Sequence, residues 1–72
     1  MDEILKRANL LSYNRRFYAQ GVESPHDVLR AMANKEEFAE IVRMVGMASS
    51  PGHVQRFKRA MQDWAVEQGM FL

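Results

Sequence analysis

The sequence contains no cysteine. Disulfides and thiolate metal sites are therefore excluded, and packing alone must hold the fold together. The absence fits a reducing compartment. No run of about 18 apolar residues occurs, so no membrane-spanning helix is expected. The start, Met1 to Arg7, lacks the basic-then-apolar order of a signal peptide. Charge of one sign is also missing. Ten basic residues stand against nine acidic ones, a net charge of +1, and no overall field recommends nucleic acid or anionic lipid. Internal repeats and low-complexity stretches are absent. At 72 residues the chain has room for one small core, so residues 1–72 read as a single domain. A whole enzyme is not expected, since a deep pocket needs walls.

What is present reads as helices. Apolar residues make up 47% and charged residues 26%, a globular balance rather than a disordered one. Glycine and proline act as punctuation. Gly21, Gly46 and Gly69 each follow an apolar-periodic stretch, where a left-handed helix end is wanted. Ser24-Pro25 and Ser50-Pro51 pair an N-cap serine with proline at the first helical position, and Asn34 with Glu37 resembles a capping box.

These marks cut the chain into five helices: about Asp2 to Ala8, Leu10 to Gln20, Pro25 to Ala33, Lys35 to Val45, and Pro51 to Gln68. Leu10, Tyr13, Phe17 and Tyr18 form the expected core face of the second, and Val28, Leu29 and Met32 that of the third. The fourth carries a stripe of Phe38, Ile41, Val42 and Val45. The fifth carries Val54, Phe57, Met61, Trp64 and Ala65 over roughly 27 Å. No alternating strand pattern or Asn-Gly hairpin turn appears. The fold class expected is all-α: an orthogonal bundle of four short helices against one long C-terminal helix, an outline shared by SAM-like domains and some helix-turn-helix folds.

Residues for chemistry are few. His26 and His53 lie 27 positions apart with no cysteine to join them, so a metal site is not expected. His26 reads as a structural or solvated helix-start residue, and His53 as a helix-start or interface-edge residue. No Gly-x-Ser-x-Gly elbow accompanies the serines, and Gly46 to Gly52 lacks the lysine and preceding strand of a phosphate loop. No catalytic residue, cofactor or metal ligand is assigned.

Two features stand out. Charge is segregated: Glu36, Glu37 and Glu40 crowd the fourth helix, while Arg56, Lys58 and Arg59 lie on the fifth with no acid between Val54 and Gln62. Opposed patches can attract a second copy, which makes Glu36, Glu40, Lys58 and Arg59 candidates for self-association. Methionine is plentiful: besides Met1, the chain has Met32, Met44, Met47, Met61 and Met70. Met32 and Met61 suit a core; Met44, one position off the stripe, and Met47, beyond Gly46, suit a peptide groove. Arg15 and Arg16 beside Tyr13 and Tyr18 read as solvated cations on a helix whose aromatics are core.

Two stretches carry a family likeness: Arg7-Ala8-Asn9-Leu10-Leu11-Ser12-Tyr13, and Val45-Gly46-Met47-Ala48-Ser49 with Pro51-Gly52-His53-Val54-Gln55-Arg56-Phe57 and Ala60-Met61-Gln62-Asp63-Trp64-Ala65. Together they resemble the first conserved domain of the NAB family, the NGFI-A-binding transcriptional corepressors, from about Arg7 to Phe71. Tyr18 to Met32 departs from the pattern, and Arg15 and Arg16 make the second helix more basic than the family leads one to expect. The resemblance implies a SAM-like fold and a nuclear, non-enzymatic adaptor, recruited by EGR-type zinc-finger transcription factors through a segment outside the fingers, and implicated in self-association. On this reading a partner segment enters a groove between the fourth helix, the Gly46 turn and the fifth helix, bordered by Met44, Met47, His53 and Arg56. The alternative is a SAM-like module for self-assembly, or for RNA binding through Arg56, Lys58 and Arg59.

Overall fold

A computed structural model describes residues 1–69; Met70 and the last residues of the family likeness lie outside the described residues. Five α-helices follow one another, with no strand among the described residues: α1 (Asp2–Arg7), α2 (Asn14–Ala19), α3 (Pro25–Met32), α4 (Lys35–Met44) and α5 (Pro51–Glu67). The expected second helix is shorter at its start, because Leu11–Tyr13 forms a 3-10 turn that leads into α2. α3 packs on α4, and both α1 and α3 pack on α5.

Three of the helix ends close in one way. A residue at positive φ stands just past the helix: Asn9 at 59°, Gly21 at 74° and Gly46 at 77°. Its own N–H bonds the carbonyl three residues back, on Lys6, Tyr18 and Arg43 respectively. The next N–H reaches the carbonyl five residues back: Leu10 to Leu5 at 2.7 Å, Val22 to Phe17 at 2.9 Å, Met47 to Val42 at 2.9 Å. This paired bonding satisfies carbonyls that the helix leaves open, and the residue after the turn packs back on the helix it has left. Leu10, Val22 and Met47 are all buried as a result. The left-handed residue favours glycine at two of the three ends. Asn9 takes that place at the first, where a short polar side chain tolerates the conformation.

Helix starts follow the sequence in two cases of three. Ser24 Oγ accepts from His26 N–H, and Asn34 Oδ1 accepts from Glu36 N–H at 3.0 Å. That bond goes to the second helical residue rather than to Glu37, and Glu37 makes no return bond among the described residues, so Asn34 caps α4 without the expected capping box. Ser50 is a correction: it precedes Pro51 as expected, but its side chain caps nothing. Its carbonyl instead takes the N–H of His53 at 2.9 Å and of Val54 at 3.2 Å.

Phe57 is the centre of the core. Phe17 approaches its ring at 5.3 Å with a 44° tilt, and Phe38 stacks on it at 6.2 Å. Removing such a side chain from water contributes about 1.5–3 kcal/mol. Ile4, Leu5, Leu10, Val28, Val45, Met47 and Met61 complete the fully buried set. Leu29, Met32, Ile41, Val54 and Trp64 pack around it in part. Tyr18 overturns an expectation. It is 54% exposed, so Tyr13 and Phe17 alone carry the aromatic core face of that helix.

Polar side chains then fasten elements together. Arg16 donates to the Val45 carbonyl at 3.2 Å and so covers the end of α4. Arg56 Nε donates to the Ala8 carbonyl at 3.1 Å and does the same for α1. Arg7 forms a two-pronged pair with Glu67, at 2.6 and 2.8 Å, across 60 residues of sequence. The hydrogen bond from Arg7 holds the Glu67 carboxyl below its ordinary value, and the Arg7 guanidinium is raised in turn.

Gly46→Ala tests the helix-end geometry. An alanine there is strained by about 1–2 kcal/mol in the left-handed region. Its Cβ also meets Arg16 Nη1 at 2.6 Å, which displaces the guanidinium from Val45. Gly21→Ala carries the same strain but meets nothing within 4 Å. Both variants melt lower, by about 4–8 °C per kcal/mol in a domain of this size. Thermal denaturation shows Gly46→Ala as the less stable of the two.

Candidate functional site

The surface carries shallow recesses, three of which include the residues singled out in the sequence. The first runs between α4 and the start of α5 and has a volume of about 310 Å3. Phe38, Ala39 and Val42 form its α4 wall; Ala48, Pro51, Val54 and Gln55 form the other. The lining is apolar apart from Gln55. The second lies on the outer face of α5, about 480 Å3, lined by Gln55, Arg56, Lys58, Arg59 and Gln62. The third lies between α3 and α4, about 670 Å3, and includes Asp27, Arg30, Glu36, Glu37, Glu40 and Ile41.

A groove thus exists where a partner groove was expected, but with a different lining. Met44, Met47, His53 and Arg56 do not come together around it. Met47 is fully buried and belongs to the core. The reason is its place one residue past the left-handed Gly46, which turns the chain inward. Met44 is 40% exposed, yet it lies two positions beyond Val42 and so projects from another side of α4. His53 is half-buried, with Nδ1 at 2.7 Å from the Tyr13 hydroxyl and the two rings edge to face. Arg56 stands at the α5 recess rather than at the groove. The lining residues that the sequence reading missed include Ala48 and Pro51, just before and at the start of α5, whose place beside the expected Ser50-Pro51 helix start was the readable cue.

The charge reading maps onto two of the recesses. Glu36 and Glu40 line the α3–α4 recess, and Lys58 and Arg59 line the α5 recess. Within the acidic one, Arg43 takes Glu40 as an ion-pair partner, and Arg30 lies 4.0 Å from Asp27. The α5 recess has three cations and no acid in its lining.

Among the described residues no group of three or more histidine, cysteine, aspartate or glutamate residues could hold a metal ion. His26 lies edge to face against Trp64, with ring centroids 5.0 Å apart. Both histidines therefore contact aromatic rings of other segments. No helix among the described residues is long and apolar enough to cross a membrane.

Four short helices closed on a long C-terminal one define an all-α domain of the SAM class. The comparisons with known proteins are more specific. The family model described as the NAB conserved region 1 (NCD1) SAM domain matches residues 1–72, and the chain belongs to that family. It is 44% identical over 68 residues to human NGFI-A-binding protein 2, covering 94% of this chain and 13% of that protein. Human NGFI-A-binding protein 1 is 46% identical over 68 residues, covering 94% of this chain and 14% of its own length. The NAB transcription cofactor mab-10 of Caenorhabditis elegans is 41% identical over 69 residues, covering 94% and 11%. The chain thus spans about one-eighth of the length of the curated relatives it matches. No solved structure matches it.

The opposite fates of two neighbouring methionines give a direct test. Met47→Ala removes a fully buried side chain and costs about 2–5 kcal/mol of unfolding free energy. Met44→Ala, at an exposed position, stays within about 0.5 kcal/mol of the parent. Urea denaturation with unchanged slope separates the two.

Proposed function

We propose that this chain is the docking module of a transcriptional coregulator, a corepressor adaptor acting in the nucleus. It holds a regulatory segment of EGR-type zinc-finger transcription factors, taken from outside their fingers. The observation that carries this reading is the 44–46% identity, over nearly the whole chain, to relatives named NGFI-A-binding proteins. The name of mab-10 as a transcription cofactor supports the coregulator role. Surface form agrees with it: shallow grooves suit a peptide. With about one-eighth of the relatives' length in this chain, repression itself falls to other parts of a full-length protein.

Self-association is a second reading, favoured by the opposed recesses on different helices. Glu36 and Glu40 of one copy face Lys58 and Arg59 of another in a head-to-tail arrangement. Direct RNA binding has weaker support, since a net charge of +1 gives little long-range attraction to a polyanion.

One calorimetric titration, read beside solution mass, tests the proposal. The regulatory segment of an EGR-type factor binds the chain, and the isolated zinc fingers do not. Failure of the segment to bind, or binding to the fingers alone, contradicts the docking reading. A mass that rises with concentration and falls with salt supports head-to-tail pairing, and a salt-independent monomer removes it.

A further inference from the structure

The apolar groove and the basic recess are neighbours. Gln55 lines both: it closes one end of the groove formed by Phe38, Val42, Pro51 and Val54, and it edges the recess that holds Arg56, Lys58 and Arg59. A chain seated in the groove therefore runs onto Arg56, Lys58 and Arg59; the acid nearest them is Asp63, which shares a further recess with Arg56, Arg59 and Arg7, so cations outnumber acids on this face. Lys35 stands one turn before Phe38 and Ala39 on α4 and is exposed, which adds a cation on the helix that forms the groove's α4 wall. The acids of α4 line the separate recess towards α3.

We infer that the groove and the recess form one continuous docking surface, and that its occupant is a short acidic peptide carrying apolar anchor residues. The inference rests on the docking reading and names the chemistry of the segment that is docked. Apolar side chains of the peptide fill the groove and supply most of the affinity. Its carboxylates meet the α5 cations, which set the register and speed the encounter. Arg56 is fixed for this task. Its Nε is held by the Ala8 carbonyl, so the guanidinium is already oriented when a carboxylate arrives. A second copy of the chain is a poorer occupant. Its α4 offers Glu36, Glu37 and Glu40 together with Lys35 and Arg43, and Arg43 already pairs with Glu40.

Selection of a random phage-displayed peptide library on the intact 72-residue chain tests the chemistry without assuming a partner. The enriched peptides combine aspartate or glutamate with apolar residues. A synthetic copy of one of them, titrated into isotope-labelled protein, shifts the amide signals of Ala39, Ala48, Val54 and Gln55. Its affinity weakens with added salt. The double variant Lys58→Glu, Arg59→Glu, at exposed positions and with unchanged melting, binds that peptide about tenfold more weakly or worse. Enrichment of basic or uncharged peptides, no enrichment, shifts on another face, or unchanged affinity in the variant overturns the inference. A dimer that covers the recess and resists the peptide overturns it too. An EGR-type segment titrated in parallel keeps the two readings apart. If that segment binds equally well to parent and variant, docking stands and this surface is wrong. If the acidic peptide seats in the groove while the EGR-type segment does not bind, the surface stands and the docking partner is wrong.

Discussion

The fold depends on how its short helices end. At Asn9, Gly21 and Gly46 the backbone enters the left-handed region, and the next residue is driven back onto the helix just completed. Helices of six to ten residues have little stability of their own. What keeps them in place is that each such reversal buries an apolar side chain: Leu10, Val22 and Met47. The reversal and the core are thus one event. A left-handed residue without a buried successor would leave a frayed end, and an apolar successor without the reversal would stay in water.

The same constraint divides inside from outside beside the groove. Because Gly46 sends Met47 inward, the chain re-emerges at the exposed Ala48, and α5 opens with the exposed Pro51. Both line the groove against Phe38, Ala39 and Val42 of α4. α5 then carries two unrelated tasks on different sides. Phe57, Met61 and Ala65 fill the core, while Lys58 and Arg59 stay in water and give the outer face its charge. Arg56 lies between these roles, tied to the end of α1 and still part of the basic lining.

Much of this was legible in the sequence, and the misses have physical causes. Ser24-Pro25, Asn34, Gly21 and Gly46 marked helix limits because their chemistry is local: a side-chain oxygen for an orphan N–H, or freedom to adopt positive φ. The stripes through Val42 and Val45, and through Phe57, Met61 and Ala65, followed from helical period alone. Ser50 looked like Ser24, but a cap needs the side chain aimed at the helix, and dipeptide identity does not fix that. Tyr18 sits beside Phe17 in sequence, so an approximate helix face took in both, and the 3-10 turn before α2 shows that the face was narrower. Met47 departs from expectation because Gly46 does more than stop a helix: its positive φ also sets the fate of the residue after it. The groove was located but not its lining, since that depends on side chains brought together from positions 38 to 55.

The Gly46 turn leaves one of its two flanking methionines in solvent and buries the other. Methyl NMR of the methionine-labelled chain with a soluble paramagnetic agent measures this directly. The Met47 methyl, like that of Met61, keeps its intensity, while the Met44 methyl is broadened. Broadening of Met47 to the extent of Met44 would contradict the account, because the residue after the turn would then belong to the surface.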